Sequence, residues 1–284
     1  METPAAAQFR QRVLANWTDP QTVAAWRRWH SRITRQQQLV SDALLAAAHV
    51  SADDRVLDLA SGSGEPALQI ARAVGPTGSV VATDLSNDML GVARDHAREQ
   101  GASNVEFVVC DAEALPFEDA TFDAVTSRMG AMFFVDLHRS LQEVRRVLRP
   151  DGRAAFSAWG PQRESSFFMA VVAPFAARCD PPEPPRGAPH AFRFAEPNTF
   201  QHALIAAGFH DAAEERRTIE MPWFGPPEEW WEAFYELAAP PYFDELPEEQ
   251  RLAATREAIE NLQQLYRDGA VRTQAAVVIA SARA

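Results

Sequence analysis

Along residues 55–160 the apolar positions fall in short unbroken runs separated by stretches of helical period. The runs at 55–59, 79–84, 105–110, 122–127 and 153–159 lack polar alternation, so they predict strands buried on both faces. Residues 66–74, 87–100 and 137–148 predict helices between them, and this alternation implies a parallel sheet covered by helices on both sides. Upstream, residues 19–35 predict a helix with Asp19 as N-cap and Pro20 in its first turn; Val23, Trp26, His30 and Ile33 share one face, flanked by Trp29. A second helix, 37–48, leads into the first strand. Downstream, Asp180-Pro-Pro-Glu-Pro-Pro-Arg-Gly-Ala-Pro189 excludes regular structure and predicts a loop within an insertion over 161–195. A helix from Glu196 to Gly208 and a strand over 211–221 follow. A second insertion carries helices at 227–238 and 247–267, with Gly269 as the stop of the latter. The tail, 271–282, predicts a last strand. The chain therefore divides into an arm (1–50), a core (51–160), an insertion (161–195), a core helix and strand (196–222), a helical cap (223–269) and a final strand (270–284).

The turn after the first strand carries the most chemistry. Arg55-Val-Leu-Asp-Leu-Ala-Ser-Gly-Ser-Gly-Glu-Pro-Ala67 reads as strand, small-residue turn and helix start, a nucleotide-type site at the carboxyl edge of a sheet. Gly62-x-Gly64-x-x-Ala67, with Asp84 about 20 residues on, fits the dinucleotide fingerprint. Asp58 argues against that ligand, because a carboxylate inside the strand repels a pyrophosphate. The same carboxylate favours an ammonium or sulfonium cation. S-adenosylmethionine carries both, on an adenosine without phosphate.

Asp58-x-Ala60-x-Gly62-x-Gly64 resembles the first motif of the class I S-adenosylmethionine-dependent methyltransferases, with Ala60 in place of the first glycine. Val80-Val-Ala-Thr-Asp-Leu-Ser86, Val105 to Phe117, Phe122-Asp-Ala-Val-Thr-Ser-Arg128 and Leu141 to Arg153 resemble the next four motifs, in order, over roughly residues 40–160. The wording Asp-Ala-Glu-Ala-Leu-Pro-Phe is most similar to the quinone C-methyltransferase-like branch, which also holds many small-molecule O- and N-methyltransferases. The resemblance implies a Rossmann-like, doubly wound, seven-stranded and mostly parallel sheet with one antiparallel strand, to which the insertions add a helical cap. It implies that Asp58, Ala60, Gly62 and Gly64 hold the methionine end of S-adenosylmethionine. Asp84 and Leu85 take the ribose side, Met89, Asp111, Ala112 and Glu113 frame the adenine, and Ser127 and Arg128 end the fourth strand beside the methionine portion. S-adenosylhomocysteine is the implied product.

Composition narrows the partners. The net charge is −12, and residues 211–260 hold fourteen acids against four arginines, so a phosphate backbone is excluded as a partner. All 27 basic residues are arginine, which removes Schiff-base and P-loop lysine chemistry. Cys110 and Cys179 give neither a disulfide framework nor a metal spacing. No run of about 18 apolar residues predicts a membrane span, and the first residues lack the pattern of a signal peptide, so a cytoplasmic location is expected. The oligomeric state stays open. None of the seven tryptophans lies between residues 51 and 150; six are in the arm and the second insertion. Such rings either line a ligand pocket or seal a cap onto the sheet.

Methyl transfer from a sulfonium is a direct displacement, for which alignment and exclusion of water suffice. A base is needed only where the acceptor must lose a proton, so no residue is singled out as catalytic. Trp29, His30, Met129, Met132 and Phe133 are the candidate lining of a small, partly apolar acceptor site, O, N or C being the methylated atom. Two rivals stand beside this reading: a nicotinamide-dependent oxidoreductase, and a non-methylating protein that binds S-adenosylmethionine.

Overall fold

A computed structural model describes residues 4–181 and 188–284. Residues 182–187 of the proline-rich stretch lie outside the described residues. The arm consists of α1 (Pro4–Thr18), α2 (Pro20–Gln36) and α3 (Gln38–Ala47). Asp19 caps α2, its side chain accepting from the Thr22 N–H at 2.8 Å, and Pro20 stands in the first turn, where a missing N–H costs nothing. The core then runs β1 (Arg55–Leu59), α4 (Ala67–Val74), β2 (Ser79–Asp84), α5 (Asn87–Glu99), β3 (Val105–Val109), β4 (Phe122–Arg128), α6 (Leu137–Val147) and β5 (Leu148–Trp159). The remainder is α7 (Ser166–Ala176), α8 (Thr199–Ala206), β6 (His210–Trp223), α9 (Pro227–Ala238), α10 (Tyr242–Glu245), α11 (Glu248–Gln264), β7 (Tyr266–Arg267) and β8 (Ala270–Arg283).

The sheet order is β3-β2-β1-β4-β5-β8-β6, with β8 antiparallel to both of its neighbours and the two-residue β7 added beside it. Seven full strands with one antiparallel member is the expected architecture. β1, β2, β4 and most of β5 are buried on both faces because each face packs on something different. β3 and β6, at the two ends of the strand order, are not: β3, expected to be buried on both faces, is partly exposed, and β6 is largely polar. Val56, Val80, Ala82 and Ala124 meet Ala67, Ile70 and Val74 of α4. The residues between them, Leu57, Val81 and Val125, join the larger core with Leu141 and Val144 of α6. Burying each such Leu or Val side chain contributes about 1.5–3 kcal/mol. The strand order reverses between β1 and β4, so the loops leaving their carboxyl ends splay apart into a crevice.

Four expectations are corrected. The arm contains an additional helix, α1. The first insertion contains α7, a helix so uniformly apolar that it shows no helical period; β8 and α11 cover it. The second insertion's last helix stops at Gln264, and Gly269, at φ +76°, instead makes the tight turn between β7 and β8. β5 begins at Leu148, five residues early, because Leu148 already pairs with Phe122 before a register shift. No described helix is long and apolar enough to cross a membrane.

The arm and the second insertion dock on each other. Trp29 is buried, packs on Trp223 with ring centres 5.8 Å apart, and donates its indole N–H to Glu236 at 2.7 Å. Arg28 pairs with Glu232 and Glu236 at 2.8 and 3.0 Å, and Arg32 with Glu229 at 3.0 Å. Trp223, Trp230 and Trp231 are buried as well, so these rings seal the cap.

Candidate functional site

β1 ends by delivering Asp58 into the interior and then breaking into a turn with left-handed backbone. Ala60 has φ +54°, Gly62 +53° and Gly64 +115°. At Gly64 a side chain would stand 3.3 Å from Ala93 and Leu68, so the turn is pressed against α5 and α4. At Gly62 a Cβ would meet only the Met89 methyl, at 3.7 Å; the space above that turn is open. Ala60 is the departure from the glycine pattern, and it sits where a Cβ is strained by about 1 kcal/mol. Gly130 makes room for it: a Cβ on Gly130 would fall 2.6 Å from the Ala60 methyl.

Asp58 is fully buried. One carboxylate oxygen accepts from the Thr126 hydroxyl at 2.7 Å, and the other, Oδ2, has no partner. Burial pushes its pKa up to about 6, against the pull of the Thr126 and Ser61 hydroxyls and the Arg128 charge. An unpaired buried carboxylate oxygen is costly in the protein alone, and it suits a cationic ligand in the turn above. Asp84 closes β2 and accepts two backbone N–H groups, from Gly62 and Ser86, each at 2.9 Å. Burial raises its pKa while those backbone donors oppose the rise. Leu85 is half-buried beside it and Met89 is buried on α5.

After β3, Asp111 and Glu113 stand together. The Glu113 N–H donates to Asp111 at 2.9 Å, the Asp136 N–H donates to Glu113 at 2.8 Å, and the guanidinium of Arg10 from α1 bridges both carboxylates. Ala112 lies half-buried between them. At the end of β4 the Ser127 hydroxyl donates to the Leu59 carbonyl at 3.0 Å. Arg128 folds back over the crevice, donating to the Ser41 hydroxyl at 2.8 Å and the Glu65 carbonyl at 2.9 Å. Burial lowers its pKa, with Glu65 and Asp58 pulling the other way.

The candidate acceptor residues separate. His30 is buried against the glycine turn, with Nδ1 3.0 Å from the Ser63 hydroxyl and its ring stacked at 3.5 Å on His96. The His96 Nδ1 lies 3.0 Å from the Ser63 carbonyl. Burial, then His96 and Arg128, lower the His30 pKa to about 3, so that ring is neutral. Trp29, one residue before, faces the cap. Met129 takes φ +57° and donates its N–H to Ser157 at 3.0 Å, while Met132 is buried and Phe133 half-buried in the same loop. Arg10, Ser63, His96 and Thr126 were not singled out from the sequence. Thr126 is identifiable two residues before Arg128 in the fourth motif, whereas nothing local links Arg10 to residues more than a hundred positions away.

Comparison with known proteins now bears on this geometry. Residues 26–159 match the ubiE/COQ5 methyltransferase family. A relative from Ectopseudomonas oleovorans, named ubiquinone/menaquinone biosynthesis C-methyltransferase UbiE, is 46% identical over 105 residues, covering 37% of this chain and 62% of the relative. The chain thus spans less than two thirds of that relative's length. Among solved structures, Haemonchus contortus phosphoethanolamine N-methyltransferase 2, in complex with S-adenosyl-L-methionine, superposes with a TM-score of 0.58 at 19% identity, covering 97% of this chain and 59% of that one. The [4+2]-cyclase SpnF superposes with 0.55 at 21% identity, covering 86% of this chain and 80% of that one. The fold is the Rossmann-like fold of the methyltransferases.

Proposed function

From residues 26–159, a segment of ubiE/COQ5 methyltransferase type, we propose that this protein is an S-adenosylmethionine-dependent methyltransferase acting on a small, partly apolar acceptor. The observation that carries this reading is the unpartnered Oδ2 of buried Asp58 beneath an open glycine turn. That carboxylate favours a cation and repels a pyrophosphate, which also sets aside the nicotinamide alternative.

In this reading residues 51–160 hold the cofactor, and the arm with the two insertions covers the acceptor. Asp58 and the turn from Ala60 to Gly64 hold the methionine end, with Ser127 shaping the strand beneath and Arg128 offering its guanidinium to the carboxylate. Asp84, beside Leu85, takes the ribose hydroxyls. Met89, Asp111, Ala112 and Glu113 frame the adenine. When bound, the cofactor supplies an electrophilic methyl with a neutral thioether leaving group, so the protein needs to align the acceptor and exclude water. Met129, Met132 and Phe133 offer the apolar side of the acceptor space; His30 flanks the glycine turn from the arm, and Trp29 is engaged in the joint with α9. The family match covers residues 26–159, so the two insertions and the last strands lie outside what is shared with the quinone enzymes, whereas Trp29, His30, Met129, Met132 and Phe133 lie within it. A cytoplasmic location belongs to this same proposal.

A [4+2]-cyclase shares this fold, so the fold alone does not require methyl transfer, and a second reading is that the cofactor is bound without it. Calorimetry with S-adenosylmethionine and chromatographic detection of S-adenosylhomocysteine over a panel of quinols, phenols and amines test both. Binding with turnover on an acceptor supports the transferase. Binding without turnover across the panel supports the second reading, and no binding removes both.

A further inference from the structure

We infer that Arg10 is a positioning residue for adenine recognition: from the arm it holds Asp111 and Glu113 in the orientation that favours a 6-amino over a 6-oxo purine. The inference rests on the cofactor reading above. Arg10 reaches Asp111 through Nη1 and Glu113 through Nη2, the latter at 2.7 Å. Each carboxylate has its other oxygen fixed by backbone, Asp111 Oδ1 by the Glu113 N–H and Glu113 Oε1 by the Asp136 N–H. All four oxygens are thereby fixed by one donor each, and each keeps a second lone pair.

A carboxylate held this way accepts and does not donate. It matches the N–H of an exocyclic amine and opposes the carbonyl oxygen of a 6-oxo purine. Two carboxylates two residues apart repel each other, and a guanidinium between them offsets that repulsion and holds one oxygen of each. Without it they separate toward water and the purine edge loses its template.

The contact is not an incidental surface pair. The Glu113 side chain is only 10% exposed and Arg10 26%, whereas Arg28 in the cap joint is 51% exposed. α1 is also tied down a second time, where the Ser86 hydroxyl donates to the Trp17 carbonyl at 2.7 Å, two residues past Asp84. The helix therefore spans the loops after β2 and β3, the ribose and adenine sides of the proposed site.

Calorimetry on the full chain with S-adenosylhomocysteine and with its 6-oxo counterpart, S-inosylhomocysteine, tests this. The wild type is expected to prefer the adenosine compound by about tenfold or more, since the 6-oxo group sets a carbonyl oxygen against half-buried Asp111 and buried Glu113, acceptor facing acceptor. In Arg10→Ala the preference should fall below about threefold, mainly through weaker binding of the adenosine compound. Arg10→Lys, which keeps the charge without the fork, should recover part of it, and unchanged melting of both variants shows that the fold is retained. An unchanged preference in Arg10→Ala, even with both affinities lowered, overturns the inference. So does a wild type that binds both compounds equally. A wild type that binds neither compound overturns the cofactor reading itself.

Discussion

Residues 51–160 and the cap are held by different kinds of contact. In residues 51–160 the groups proposed to face the ligand are held largely by backbone: Asp84 by two N–H groups, Asp58 within a strand paired on both sides, and the glycine turn by its own dihedral angles. The Thr126 hydroxyl at Asp58 and Arg10 at Asp111 and Glu113 are side-chain additions. In the cap most joints are side chain to side chain, made by Arg28, Arg32, Trp29 and their glutamates across more than 190 residues of chain, with Arg32 also donating to the Phe224 carbonyl. Backbone constraints persist through fluctuations, while half-exposed ion pairs contribute little and part easily. Under the proposed function this division corresponds to a precise platform for the cofactor and a cover that opens, as a transfer reaction that excludes water requires.

The sharpest way to break that comparison is to obstruct the platform. Gly62→Val places a branched side chain in open space at φ +53°, where the ligand would lie and where β-branched residues are strained. Cofactor affinity should fall by about a hundredfold or more, roughly 3 kcal/mol, while circular dichroism stays native. Normal affinity in calorimetry would move the site away from the turn.

Asp84→Ala comes next. Loss of a charged acceptor for two hydroxyls should weaken binding by about 1.5–3 kcal/mol, with Asp84→Asn milder. Because Asp84 also anchors the Gly62 N–H, the alanine variant should lose some melting temperature as well. An unchanged dissociation constant would remove the ribose assignment.

Asp58 separates binding from stability. Its folded pKa is raised to about 6 from 3.8, so its protonated form is favoured in the fold. That contribution is complete below about pH 4 and is lost as pH rises through about 6, at a cost of order 2–3 kcal/mol. His30, lowered to about 3, acts in the opposite sense, its contribution being present above pH 6.5 and lost as pH falls toward 3. Asp58→Asn should therefore gain stability relative to the wild type as pH rises from 4 to 7, and lose cofactor affinity at the same time. Denaturant titrations across that range that show a constant difference would contradict the burial argument.

The same division explains what was legible in the sequence. Strand runs buried on both faces declare themselves as apolar blocks, and Asp58, Gly62, Asp84 and Asp111 lie at strand ends, so local pattern places them. α7 stayed unread because a helix apolar all round has no period. Gly269 is ambiguous in sequence because a glycine after a helix and a glycine in a hairpin turn share one preference, a positive φ. Arg10 and His96 were invisible because their roles come from tertiary contacts: Arg10 bridges two acids about a hundred residues away, and His96 stacks on His30 from a different helix.

The smallest effect tests the cap. The Arg28 side chain is half-exposed, so its pairs with Glu232 and Glu236 are worth about 0.2–1 kcal/mol. Arg28→Ala should hardly move the melting temperature, yet it removes two of the ties that join α2 to α9. Hydrogen exchange should then rise over residues 15–35 and 223–240 and stay unchanged over 55–130. Addition of S-adenosylhomocysteine with an acceptor should slow exchange in the same two segments of the wild type, with a parallel change in tryptophan fluorescence. If Arg28→Ala leaves exchange untouched and the ligands protect only 55–130, the cap is static packing. The acceptor entrance would then have to lie along the 161–195 insertion, where Arg193 donates to the Phe134 carbonyl at 2.6 Å and the next variants belong.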